Sequence, residues 1–209
     1  MSKTHQRCSE YAAHYQDFDF LLSHCVSCQA AAAVRIRSMR ESGAKYAPSL
    51  LSVCQATIDP LRAEVTKTEE ILLGFGAMTL GDILGTVGYC EDNELHQRIV
   101  HWIVELVDSS NTVVAFYALN AIRLSKVKEP RTIDCLMRVI ESDQRLDEHP
   151  SVTLRAVALR TLFQIGYSIP PSLQSSPAWH ELSVAYDYWQ QQDRSVADEV
   201  TWMHNFELR

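Results

Sequence analysis

The sequence predicts an all-α chain folded as a short right-handed α-solenoid, and three observations carry that prediction. Slid against itself by forty residues, the chain places Val114, Ala118, Leu119 and Ile122 on Leu154, Ala158, Leu159 and Leu162. The two copies share one layout: Leu95 to Val107 followed by Asn111 to Leu124, then Pro130 to Ser142 followed by Pro150 to Gly166. A helix pair repeated at this period is the signature of a stacked array, each unit burying its apolar side on the next. Third, β-branched residues never sustain an alternating run of strand length, whereas apolar residues recur at three- and four-residue steps.

Composition sets the frame for this array. With 209 residues, 46% of them apolar and 22% charged, the chain can bury a core without staples. The expected organisation is one domain over residues 1–209, with amino-terminal helices in 1–66, repeats in 67–167 and a capping helix pair in 177–207. The formal charge of −7 argues against a nucleic-acid binder, because such binding draws on cations meeting phosphates. The charge is also segregated. Residues 69–209 carry eleven Lys and Arg against twenty Asp and Glu, a balance of −9, so a protein partner of this half is expected to be basic.

No stretch reads as a membrane span, and the residues before the apolar run from Phe20 to Val34 include Asp17 and Asp19 rather than a basic leader. A cytoplasmic protein is expected. Six cysteines in so long a chain do not form a secreted disulfide framework, so reduced and mostly buried thiols are expected.

Taken in order, a short helix is predicted from Thr4 to Gln16 and a longer one from Phe18 to Glu41, with Leu21, Leu22, Cys25, Cys28, Ala32 and Ile36 on one face. Arg35, Arg37 and Arg40 suit its carboxyl end, and Gly43 closes it. Pro48 opens the next helix, to Ile58. Asp59-Pro60 reads as a restart, with Thr66 and Glu69 at capping-box spacing as the alternative boundary. Ile71 to Leu84 is strongly apolar yet contains Gly74, Gly76 and Gly81; each costs about 1 kcal/mol against Ala, so close helix approach or a kink is expected there.

Gly88 to Asn93 is a turn with Asp92 as the expected cap, and Ser109 to Asn111 a brief break. Glu129-Pro130 and His149-Pro150 each place a proline in a first helical turn. Ile169-Pro170-Pro171 to Ser176 reads as a connection, followed by helices from Pro177 to Gln192 and Ser195 to Phe206. Their stripe of Trp179, Leu182, Tyr186, Trp189, Trp202 and Phe206 is assigned to covering the last exposed core face.

The chemistry-bearing clusters are few. His24, Cys25 and Cys28 combine a Cys-x-x-Cys spacing with a neighbouring imidazole, but a structural zinc site needs four ligands and no second pair follows at a matching distance. Buried structural thiols are the expectation, with no metal and no cofactor. Glu148-His149 and His180-Glu181 invite comparison with deoxyhypusine hydroxylase, whose helical repeats bring several His-Glu pairs to two irons. Only one pair here has that order, so the ligand count fails. No Gly-rich phosphate loop, nucleophile elbow or His-Glu-x-x-His helix occurs, and no catalytic residue is assigned.

The segments Asn111-Thr-Val-Val-Ala-Phe-Tyr-Ala-Leu-Asn-Ala-Ile122 and Ser151-Val-Thr-Leu-Arg-Ala-Val-Ala-Leu-Arg-Thr-Leu162 resemble HEAT and HEAT-like repeats. Leu154-Arg155-Ala156 matches the family's Val-Arg opening of the second helix, and Val114-Ala115-Phe116 lacks the arginine. The resemblance spans about residues 94–167. It implies a concave surface lined by second helices, and on it Tyr117, Asn120, Arg160 and Gln164 are the expected partner-binding residues. The expected function is a non-catalytic protein-protein interaction module: an adaptor, chaperone-like or inhibitory protein. The alternatives are a helical-repeat lyase or metal-dependent hydrolase, and after it a HEAT-like nucleic-acid binder.

Overall fold

The computed structural model describes residues 18–58, 65–143, 153–168, 170–175 and 179. Among them every regular element is helical and no strand occurs. The chain divides into two compact units, Met1–Ser168 and Ile169–Arg209. They part at the Ile169-Pro170-Pro171 stretch, which the sequence analysis reads as a connection inside one domain. The helix expected at residues 4–16, the Asp59-Pro60 restart, Pro150, and the carboxy-terminal pair apart from Trp179 lie outside the described residues.

The first unit begins with α1 (Phe18–Leu22) and α2 (Val26–Ser38), where the sequence predicts one helix. The break at Ser23–Cys25 has a local cause. The Gln29 side-chain amide donates to the carbonyls of Leu22 at 3.0 Å and His24 at 3.1 Å, supplying donors that a continuous backbone would otherwise provide. Arg40, at φ 53°, then turns the chain into a 3-10 segment, Arg40–Tyr46, which contains Gly43 and runs directly into α3 (Ala47–Thr57). The arginines at the end of α2 do structural work: Arg35 lies 5.1 Å over the Phe18 ring, and Arg37 pairs with Asp82 at 3.6 Å.

α4 (Lys67–Val87) is the central element. It starts at the Thr66 capping box, with the Thr66 hydroxyl accepting from Glu69 N and the Glu69 carboxylate from Thr66 N. α4 packs against both α2 and α6, and its glycines mark close approach rather than a kink. Gly81 faces the backbone carbonyl of Ala121 so closely that a Cβ would overlap it. By length and composition α4 is able to cross a membrane, which the sequence analysis did not anticipate. Yet 67% of its apolar window is buried inside the protein, as for the core helix of a folded domain.

Two helix pairs follow: α5 (Glu94–Val107) with α6 (Thr112–Ser125), and α7 (Pro130–Ser142) with α8 (Leu154–Gln164). Their caps differ in two places from the sequence reading. Asn93, not Asp92, caps α5 by accepting from His96 N at 3.2 Å. α8 is capped by Thr153 and starts at Leu154 instead of at Pro150.

The helices contact one another in two series. The second helices run α2, α4, α6, α8, and the first helices α3, α5, α7. Hydroxyls bridge the first series: Thr79 Oγ1 donates to Ala33 O at 2.9 Å, and Thr161 Oγ1 to Leu119 O at 3.4 Å. Ala118 and Ala158 are both fully buried, as are the rest of the predicted core stripes, Val114, Ile122, Leu154 and Leu162.

Polar ties repeat along the pairs. Tyr89 donates to Glu129 at 2.7 Å, joining the turns before α5 and α7. Arg138 forms a two-pronged bond with Asp108, linking α7 to the end of α5. Arg155, the residue that carries the family-like opening of α8, donates from Nε to the Ile140 carbonyl at 2.8 Å. The second unit contributes α9 (Pro171–Gln174), with Leu173 buried.

Candidate functional site

The four residues expected to meet a partner divide into two groups. Tyr117 is 6% exposed and Asn120 8%, so neither presents a side chain for recognition, and both are withdrawn from the expected surface. The reason is the position of α6 between α4 and α8. Tyr117 lies over Gly74 of α4, where an added Cβ would come within 2.5 Å of its ring, and stands 5.8 Å from the rings of both Phe75 and Phe116. Asn120 spends its amide on the Phe116 carbonyl at 3.1 Å and its carbonyl on Arg123 Nε at 3.2 Å.

On α8, Arg160 matches Asn120 at the forty-residue offset and Gln164 matches Leu124, while the match of Tyr117 is Val157, which is buried too. Arg160 is half-buried and Gln164 exposed. Between them Phe163 is 48% exposed, the most exposed large apolar side chain among the described residues. Phe163 is not among the residues expected at the surface. The forty-residue match places Phe163 on Arg123, so an apolar residue standing at a position that carries a cation in the first copy was the available signal.

The charge of the repeat half is not spread evenly over these helices. The exposed carboxylates Glu94, Glu105, Asp108, Asp134 and Glu141 belong to α5, to its carboxyl end and to α7. α6 and α8 contain no acidic residue and carry Arg123, Arg155 and Arg160. The helices α5 and α7 also expose Arg98, Arg131 and Arg138, the last paired with Asp108, so they are close to neutral while α6 and α8 are cationic.

A separate cluster stands at the corner between α1 and α2. A ring nitrogen of His24 and the sulfurs of Cys25 and Cys28 all lie within 4.8 Å of one another. Cys25 and Cys28 are not disulfide-bonded, and their sulfurs are 3.6 Å apart in a thiol hydrogen bond. The Cys25 N–H donates to His24 Nδ1 at 2.8 Å. His24 is exposed, Cys25 half-buried and Cys28 buried, so the cluster opens to solvent on its histidine side.

Among the described residues, Cys54, Cys135 and His96 have structural surroundings. Burial pushes the Cys54 and Cys135 thiols up, which keeps both protonated at neutral pH. Burial holds His96 below its usual value, and its Nδ1 accepts from Cys90 N at 3.1 Å, bracing the turn before α5. The Glu148-His149 and His180-Glu181 pairs lie outside the described residues.

No protein-family model, no curated protein and no solved structure matches this chain.

Proposed function

We propose that this protein is a short α-solenoid of HEAT-like helix hairpins that binds another protein and performs no catalysis, acting as an adaptor, chaperone-like or inhibitory module in the cytoplasm. The observation that supports this reading is that the two helix pairs contact each other, α5 with α7 and α6 with α8, and that Ala118 and Ala158, matched at forty residues, are both fully buried. Stacked pairs of this kind leave a continuous outer edge along successive second helices, suited to recognition by many shallow contacts around a few anchors.

The contact edge centres on α8, with Arg160 and Gln164 flanking Phe163. An exposed aromatic between a cation and an amide has the composition of a recognition anchor. A basic partner is expected only if it docks away from α6 and α8, which carry Arg123, Arg155 and Arg160 and no acidic residue. Affinity capture with the purified protein at low and moderate salt tests the reading. Retention of a partner by the wild type, lost in Arg160→Ala/Gln164→Ala at unchanged melting temperature, is the expected result. Recovery of nothing but the bait at both salt concentrations would count against it. Capture that survives the α8 changes but falls steeply with salt would move the surface away from α8.

A further inference from the structure

The corner between α1 and α2 gathers three soft metal ligands, and their geometry is independent of the protein-binding reading. Cys25 occupies the N-cap position of α2 and Cys28 lies three residues on, so the helical turn itself sets both sulfurs side by side at 3.6 Å. Two thiolates holding zinc at about 2.3 Å each in a tetrahedral arrangement are about 3.8 Å apart, so the dithiol already has the required span. His24 brings a ring nitrogen within 4.8 Å of both sulfurs from the exposed side, where rotation of its side chain can close the remaining gap. Cys28, 2% exposed, anchors the other side in the core.

We propose that this corner binds a thiophilic divalent cation, zinc in the first place, through Cys25 Sγ, Cys28 Sγ and a ring nitrogen of His24, with the fourth tetrahedral position open to water. Binding breaks two S–H bonds and forms two metal–sulfur bonds; the two protons leave to solvent and no electron moves. A closed structural site needs four protein ligands, so with three side chains and a water the cation acts as a weak clip. α1 is only five residues long, too short to hold its own conformation in water, and depends on packing such as Phe18 against Tyr46 at 5.0 Å. Fixing His24 and Cys25 to Cys28 ties the end of α1 to the first turn of α2.

The test uses the full-length protein, reduced, stripped with a chelator and titrated with Co(II). The expected result is a thiolate-to-cobalt charge-transfer band with visible tetrahedral bands, saturating at one equivalent and bleached by zinc. Cys25→Ser/Cys28→Ser abolishes the charge-transfer band, and His24→Ala weakens cobalt binding by about tenfold or more. Should the buried Cys28→Ser change prevent folding, Cys25→Ser and His24→Ala, both at accessible positions, decide the matter with circular dichroism confirming the helices. Absence of the band in the wild type, its persistence in Cys25→Ser, or a disulfide between Cys25 and Cys28 that resists reductant would each overturn the proposal.

Discussion

The Tyr117 ring lies directly over Gly74, and an added Cβ there would come within 2.5 Å of the ring. This contact lets α6 seat against α4, and it turns a residue expected at the surface into part of the core. Gly74→Ala alone is expected to lower stability by about 1–2 kcal/mol, overpacking outweighing the gain in helix propensity. In a Tyr117→Leu background the same change is expected to be neutral or stabilising by up to about 1 kcal/mol. Urea denaturation of the four proteins measures the coupling. Strictly additive effects would mean that the ring is not what Gly74 accommodates.

Ala118 and Ala158 test the stacking of the two helix pairs. Both are fully buried, on helices α6 and α8 that pack against each other. Ala118→Leu and Ala158→Leu are each expected to cost about 1–3 kcal/mol through overpacking. Gln164→Leu, at an exposed position of α8, is expected to stay within about 0.5 kcal/mol. Equal tolerance of all three in thermal melts would remove the packed interface on which the array depends.

Asn111 has two roles that substitution can separate. Its Oδ1 accepts from the amides of Val113 and Val114, capping α6, while its Nδ2 donates to the nearly buried Glu70 of α4 at 3.0 Å. Asn111→Ala loses both and is expected to cost about 2 kcal/mol. Asn111→Ser keeps a capping oxygen and is expected to cost about half as much. Chemical denaturation that failed to rank the two variants in this order would show that the Glu70 bond and the cap do not contribute separately.

Tyr89 gives the fold an alkaline limit. Burial first, then its hydrogen bond to Glu129 and the negative charges of Glu129 and Glu91, push the phenol from 10.0 to about 12. A group whose folded pKa is raised stabilises the fold fully below its unfolded value and loses that contribution as pH rises through the folded value. Stability is therefore expected to fall between pH 10 and 12, and Tyr89→Phe to flatten that part of the curve. Phenolate absorbance with denaturation midpoints across this window reads both effects. An identical alkaline decline in the variant would rule out Tyr89 as its source.

Phe163 is the residue at which recognition and stability separate. Because about half of it is exposed, Phe163→Ser is expected to cost no more than about 1 kcal/mol of stability. Its loss from a partner interface is expected to weaken binding by about thirtyfold, the effect of removing an aromatic anchor worth about 2 kcal/mol. Parallel thermal melting and partner titration distinguish this from Tyr117→Ala, which should act through folding.

Periodicity was enough to place the central helices. The forty-residue match and the apolar stripes follow from side-chain spacing, so the presence of α5 to α8 and the burial of Ala118 and Ala158 could be read directly from the chain, while the caps of α5 and α8 could not. The Thr66–Glu69 capping box was legible for the same reason, since its two partners sit three residues apart. The break in the expected helix from Phe18 to Glu41 was not legible. It depends on the Gln29 side chain reaching back to two carbonyls, a choice that apolar spacing does not encode.

What lines a surface was decided only by the tertiary structure. A helix pattern says which residues share a stripe, but not how many neighbours that helix will have. α6, packed by both α4 and α8, buries Tyr117 and Asn120; on α8 the match of Tyr117, Val157, is buried as well, whereas the match of Asn120, Arg160, is only half-buried. The sequence by itself therefore determined the helices and their apolar faces, because both follow from side-chain spacing along one chain. Which polar stripes remain open depended on long-range packing, because burial is set by the neighbours a helix acquires.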